Sequence, residues 1–436
     1  MGLKIGAGLT LDNGLRPQAI AGVAPTLDYR FARDKRETEA VSLTDKLTFT
    51  GGNQGTFVGS DGYIQRATTN VPRFDHDPVT RISKGLLVEG SRTNSIRNNT
   101  MVGAVAGTPG TLPTNWAATT PANGITREIV GTGTEDGIAY VDIKFSGTNT
   151  LGSSFYMDIT FDNGTITAAQ SQAWTESCYV RLLSGVISGA DFSTGPHLVL
   201  YGTPGFNDNV SVSLSTASSA PLIRQRFSCT KTFANVATTG ASPRLTWTIA
   251  TGGTIDFTLR IGLPQLEQGA FATSVIPTTS STVTRATDVA SISGSNFSSW
   301  YRQEEGTVFV NAASTRGSLV GFSDGTSTER YRLVAASTAL AGFGTSGGST
   351  QFNFTTGSDS WISPNSGKGA LGLKLNNFSV VANGNYTATD SSGTLPNVDR
   401  VFIGNAQISD PLNGHLRRLT YWPTRLGNEV LQTITQ

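Results

Sequence analysis

RLTWTIATGGTIDFTLRIG, residues 244–262, sets Leu245, Trp247 and Ile249, then Ile255, Phe257, Leu259 and Ile261, at every second position around a Gly252-Gly253 break. A period of two puts one set of side chains on one face, which is the mark of a half-buried strand. The pattern recurs between residues 96 and 270 in GIAYVDIKFSG, SSFYMDITFDNG, WTESCYVRLLSG, HLVLYG, VSVSLS and RQRFSCTKTF. About eight such strands, bounded by Gly, Asn-Gly or Pro and free of an amphipathic helix, fit a jelly-roll β-sandwich.

Working outward, residues 271–292 are rich in Pro, Thr and Ser, lack a buried period and read as a linker. Strand runs resume over 293–436 in GTVFVNAA, ERYRLVAA, GALGLKLNNFSVVANG, RVFIGNA and HLRRLTYWP. Leu426, Val430 and Leu431 then fall at helical spacing and predict a short C-terminal helix. Toward the N-terminus, TLDYRF and KLTFTGG alternate around Leu27, Tyr29, Phe31, Leu47 and Phe49, and GTFVGSDGYIQRA reads as a hairpin. Residues 1–26 read as an arm that docks on a neighbouring subunit or another protein. The expected architecture is all-β: an N-terminal region of residues 1–95, then two jelly-roll β-sandwiches, 96–270 and 293–436.

Composition agrees. The chain of 436 residues is rich in glycine, with 50, and poor in charge, at 14%, yet its 21 Phe and 6 Trp can fill several cores. A formal net charge of +1 predicts no long-range attraction to nucleic acid or to an anionic membrane. No run of 18 apolar residues suggests membrane insertion, and the opening residues do not read as a secretion signal. Cys178 and Cys229 sit in strand-like runs and are expected as buried reduced thiols.

Charge is uneven: 22 of the 63 Lys, Arg, Asp and Glu residues lie in the first 95 positions. The densest stretch is NVPRFDHDPVTRISKGLLVEGSRTN, residues 70–94. Its counterpart is LPQLEQGAFATSVIPTTSSTVTRATDVA, residues 263–290. Charged groups beside apolar strand ends are usually paired. Residues 85–94 are therefore expected to pack along 263–277, with Arg92 or Arg285 facing Glu267 or Glu89.

No catalytic motif is visible. His76, His197 and His415 lie in different units, and Asp75-His76-Asp77 points its side chains apart on an extended chain. Asn207-Asp208-Asn209 and Thr134-Glu135-Asp136-Gly137 could offer oxygens to Ca²⁺ but read as loop turns. The acidic residues of 293–436 form no strand-centred pair of the kind a glycosidase needs, so no enzyme activity and no cofactor are expected. Glycan stacking is the remaining chemistry. Trp174, Trp247 and Trp422 lie in alternating runs and are expected in cores, leaving Trp116, Trp300 and Trp361 as candidate glycan contacts.

NVPRFD (70–75), GLLVEGSRTN (85–94), QLEQGAFATSVIPT (265–278), VTRATD (283–288) and GHLRRLTYWPTRL (414–426) resemble segments of a recurrent class of bacteriophage and prophage virion structural proteins. The resemblance covers residues from about 60 to 436. It implies a carbohydrate-binding-module-like sandwich followed by a concanavalin A-like or laminin G-like one. It also implies a tail-fibre or receptor-binding role in the virion, with an anchoring N-terminal region, a homotrimeric assembly, other virion proteins as partners, host-surface glycan as the contact, and synthesis in the host cytoplasm. A capsid-associated cement or head-fibre protein and a glycan-degrading tailspike-type enzyme are the alternatives.

Overall fold

The computed structural model describes residues 22–32, 46–314, 316–336, 338–357, 361, 366–406 and 410–436. Most of the expected docking arm, residues 1–21, lies outside them. The described chain is antiparallel β-structure in two sandwiches with a short C-terminal helix, Asn428–Ile434.

The first sandwich stacks two sheets. One runs Arg226–Thr232, Ala173–Gly185, Thr254–Gln268, Ile138–Thr148, Ile125–Glu135. The other runs Asn209–Ser213, Phe192–Thr203, Gly240–Ile249, Phe155–Thr160, Ala117–Ala118, with Ile166–Thr167 also on Gly240–Ile249. The two halves of residues 244–262 thus lie in opposite sheets and face one core. There Trp247 meets Phe145 edge-on at 4.6 Å and Phe257 at 5.9 Å. Cys178 and Cys229 are buried free thiols in this core.

That core holds one group at odds with its surroundings. Glu176 alternates with Trp174, Cys178 and Val180 on the inward face of its strand, is fully buried, and among the described residues has no side-chain hydrogen-bond partner for either carboxyl oxygen. Burial pushes its pKa well above the ordinary carboxylate range. The folded chain therefore keeps this proton where the unfolded chain has lost it. Stability therefore falls as pH rises past the ordinary carboxylate range, until the folded group ionises. Glu176→Met is expected to raise stability at pH 8 by about 1–3 kcal/mol and to remove that slope. Urea melts of both proteins from pH 5 to 8 check this; parallel pH profiles would refute it.

The second sandwich is assembled from both ends of the described chain. One sheet runs Tyr386–Asp390, Asn377–Ala382, Ser366–Lys374, Glu305–Ser314, Gly414–Trp422, Ser83–Val88, Arg73–His76, with Leu27–Tyr29 on the far half of Gly414–Trp422. The other runs Thr48–Thr50, Val289–Ser293, Arg400–Ile403, Gly317–Ser323, Arg330–Ala336, Ala339–Ser346, Ser349–Thr355. The expected separate unit at 1–95 is thereby corrected: its described strands complete the C-terminal sandwich. The reason is area. Strands of three residues cannot enclose a core, so Leu27, Tyr29, Phe31 and Phe49 share the one built by Leu333, Leu371 and Tyr421. Asp28, on the supposed polar face of its strand, is also buried, where it accepts from Arg418 Nε at 2.6 Å and Thr420 Oγ1 at 2.7 Å. Gly85 lets the two regions meet: its φ is +100°, and a Cβ there would sit 2.2 Å from the Leu416 carbonyl oxygen. The C-terminal helix seals the outer face, packing Leu431 and Ile434 on Phe309, Val381 and Trp422.

The supposed linker is also structural. Thr273, Val275, Ile276, Thr278, Arg285, Asp288, Ala290 and Ile292 are buried, and Val283–Arg285 pairs with Arg92–Asn94. Its lack of an apolar period misleads because its hydroxyls and amides serve charged groups. Glu89 accepts from Ser274 N at 2.8 Å, Ser274 Oγ at 2.6 Å, and the guanidinium groups of Arg73 and Arg285 at 2.9 Å each. Asp288 accepts from Arg73, from Glu89 N at 2.9 Å and from Gly52 N at 3.0 Å. Glu267 accepts from Thr273 N and Oγ1 at 2.8 and 2.7 Å, with Arg92 Nε at 3.7 Å. The expected packing of the two segments is present, and of the pairings left open Arg285 takes Glu89 and Arg92 lies by Glu267. Burial alone would raise Glu89; Arg285 and Arg73 outweigh it and hold the carboxyl down to about 2. Burial, and Glu89 close by, push Asp288 upward.

Candidate functional site

The three tryptophans proposed for glycan stacking are all interior, and this corrects their assignment. Trp116 is 5% exposed, donates its Nε1–H to the Asn98 carbonyl at 2.8 Å and stands edge-on to Phe161. Trp300, 4% exposed, sits among Phe297, Tyr301, Phe322 and Tyr421. Trp361, 1% exposed, lies on Gly367, where a Cβ would come within 2.8 Å of its ring. Proximity to loops misled the reading, because these are the places where a broad ring closes the end of a sandwich.

Open aromatic surface occurs instead on the outer face of the first sandwich's second sheet. Met157 and Ile159, Leu198 and Leu200, and Leu245, Trp247 and Ile249 all point into the core. Alternation then forces their neighbours outward: Tyr156 and Asp158 from Phe155–Thr160, His197 and Tyr201 from Phe192–Thr203, and Ser242, Arg244, Thr246 and Thr248 from Gly240–Ile249. Tyr156 is 44% exposed and Phe206, on the adjoining loop, 42%. Phe206 stands edge-on to Tyr201 at 5.4 Å.

Arg244 anchors the face. Its Nη1 donates to Asp158 Oδ2 at 2.7 Å and its Nε to Ser242 Oγ at 2.9 Å. Its guanidinium lies 4.6 Å from the Phe206 ring centre and 5.7 Å from that of Tyr201. Asp158 Oδ1 also accepts from Thr119 Oγ1 at 2.6 Å and Thr119 N at 3.1 Å. Burial first, then Tyr201 and Asp158, push the Tyr156 phenol upward, so it remains a neutral donor and acceptor. His197 Nδ1 is 2.7 Å from the Gly195 carbonyl, which fixes its ring. The face therefore offers the open rings of Tyr156 and Phe206 and the half-buried Arg244, Tyr201 and Thr248, held in place over the buried Asp158, Ser242 and Thr246.

The other singled-out groups have internal roles. Asp208 pairs with Lys231 at 2.7 Å and takes the Ala234 and Asn235 N–H groups. Glu135 pairs with Arg181 and Arg260 and takes the Leu222 N–H. His76 Nδ1 is 3.1 Å from the Val58 carbonyl, while His415, remote in sequence, reaches Asp75 at 2.8 Å. Among the described residues, no group of three or more His, Cys, Asp or Glu could hold a metal ion. The sequence does carry a signal for the sheet face: Tyr156 is an aromatic at the polar register of an alternating run. The adjacent Phe155 hides it by making the register ambiguous.

No protein-family model matches the chain, and no curated protein does. Solved structures share its sandwiches distantly. The CBM40 module of a Ruminococcus gnavus IT-sialidase, bound to α2,3-sialyllactose, aligns with 18% identity over 32% of this chain and 86% of its own, at a TM-score of 0.29. Domain 4 of a GH43 extracellular arabinanase from Geobacillus stearothermophilus, in complex with arabinotriose, aligns with 12% identity over 34% and 73%, at 0.27. Domains LG4-5 of the mouse laminin α1 chain align with 9% identity over 62% and 85%, at 0.22. Similarity of this degree concerns the β-sandwich architecture and assigns no ligand.

Proposed function

We propose that the chain is a glycan-binding, non-catalytic structural protein of a bacteriophage particle, of the tail-fibre or receptor-binding kind, and that the saccharide lies on the sheet face around Tyr156. The exposure of the Tyr156 and Phe206 rings beside the Arg244–Asp158 pair carries the glycan reading. A sugar presents C–H surface to an aromatic ring and hydroxyls to charged, fixed partners. Binding without turnover is favoured because the carboxylate on this face is held by Arg244 and Thr119, whereas glycoside hydrolysis needs one carboxyl free to give up or take a proton. The virion setting rests on the resemblance at 70–94 and 265–288. With it come an anchoring N-terminal region, a homotrimer and other virion proteins as partners.

The purified chain is expected to bind a host-surface glycan saturably, and Tyr156→Ala with Phe206→Ala to weaken binding roughly tenfold or more at an unchanged melting temperature. Retention of full affinity by that variant, or no binding to any host-surface glycan, overturns the glycan reading. Labelling of intact particles tests the setting: signal on the tail supports it, and a particle without the chain overturns it.

A further inference from the structure

Where the two sandwiches and the connector meet, the joint forms a pocket open to solvent, lined by none of the residues of the Tyr156 face. It is a cavity of about 360 Å³, within the range that holds a small ligand. Phe57, Leu87, Ile223 and Phe271 give it apolar walls, and residues from the N-terminal hairpin, both sandwiches and the connector all contribute.

Its polar groups are unevenly satisfied. Ser314 is 3% exposed, lines the cavity, and among the described residues its Oγ has no hydrogen-bond partner. Arg226 also lines it; among the described residues its guanidinium makes one hydrogen bond, to Ser177 Oγ at 2.9 Å, and no ion pair. Its guanidinium carbon sits 5.6 Å from the centre of the Tyr179 ring, which holds the side chain in place. Lys84 stands on the rim, its Nζ 3.9 Å from Asp75. Asp75 is already engaged: Oδ1 accepts from Val58 N at 2.7 Å and Oδ2 lies 2.8 Å from His415 Nε2. Glu89, the other acid on the wall, is matched by Arg73 and Arg285. Arg226 and Lys84 face Asp75 alone, so the cavity carries one more cation than anion.

The geometry points to a binding site for a small hydroxylated carboxylic acid of the hexuronate class. Its carboxylate would take the unused planar donors of Arg226, a geometry that guanidinium matches in pairs. Its hydroxyls would meet Ser314 Oγ, Tyr179 and His415, and its ring face would lie against Phe57 and Phe271. The net positive charge selects a singly charged acid over a neutral sugar of the same shape. Because four chain segments form the walls, an occupant would also brace the sandwiches against each other.

Titration calorimetry of the full chain with glucuronate, galacturonate and glucose tests this. A hexuronate is expected to bind saturably and glucose about tenfold more weakly or less; Arg226→Gln should weaken the acid by about tenfold at an unchanged melting temperature. Tyr156→Ala should leave hexuronate binding intact, which separates this site from the sheet face. Absence of saturable binding by either acid, equal binding of glucose, or an Arg226→Gln protein that binds as the parent does would each overturn the assignment. None of these results bears on glycan binding at Tyr156.

Discussion

Glu89→Ala is expected to cost about 3–5 kcal/mol of stability, the usual loss when one partner of a buried ion pair is removed. Arg73 and Arg285, both essentially inaccessible to solvent, would each lose their shared carboxylate, and the Ser274 N–H and hydroxyl would lose their acceptor. Asp288 would remain as the one acid against two guanidinium groups, and it already reaches Arg73. A loss of that size corresponds to roughly 10 °C in melting temperature for domains of this length. Glu89→Leu combined with Arg285→Met should recover much of the loss, because apolar groups of similar volume need no partner. Chemical denaturation of the parent, the single and the double variant separates the outcomes. A single-variant loss below about 1 kcal/mol would mean that the joint is hydrated and the pair weak.

The joint also shows what the sequence discloses and what it withholds. Period two in 244–262 and in the runs on either side revealed the strands, since burial on one face needs only local alternation. That Glu89 or Glu267 would face Arg92 or Arg285 was legible too, because charges at apolar strand ends must find partners, although which acid takes which arginine was not. Arg73 and Asp288 were not legible. Each looks like an ordinary loop charge, and their meeting depends on a fold that brings positions 215 residues apart into contact. The same non-local pairing concealed the origin of the second sandwich. Nothing in TLDYRF or GLLVEG says which distant strand completes it, and Gly414–Trp422 turns out to accept both. The candidate site failed at a different level. Tryptophan beside a loop suggested exposure, but the largest rings close the sandwich ends. The aromatic surface that is open uses Tyr156 and Phe206, whose exposure follows from register and from one loop conformation.

A fragment of residues 96–436 is expected to lose the second sandwich while keeping the first. The cut removes the strands Leu27–Tyr29, Thr48–Thr50, Arg73–His76 and Ser83–Val88. With them go Leu27, Tyr29, Phe31, Leu47, Phe49, Leu86 and Val88 from the second core. At about 1.5–3 kcal/mol for each buried large apolar side chain, the deficit is on the order of 10 kcal/mol or more. That equals the whole stability of an ordinary domain, about 5–15 kcal/mol. The cut also uncovers one edge of Gly414–Trp422 and of Val289–Ser293, leaving unpaired backbone that invites aggregation. The first sandwich draws its two sheets from residues 117–268 and loses no strand. Scanning calorimetry should therefore show one transition from the fragment, with the heat of the second sandwich missing. Limited proteolysis should spare a core within 96–270 and degrade 293–436. A fragment that melts with the full heat of the intact chain and resists cleavage throughout would show that the N-terminal strands only decorate the second sandwich. The expected result instead makes them part of its fold, so that anything gripping the N-terminal region grips the second sandwich directly and, through Glu89 and its arginines, the first.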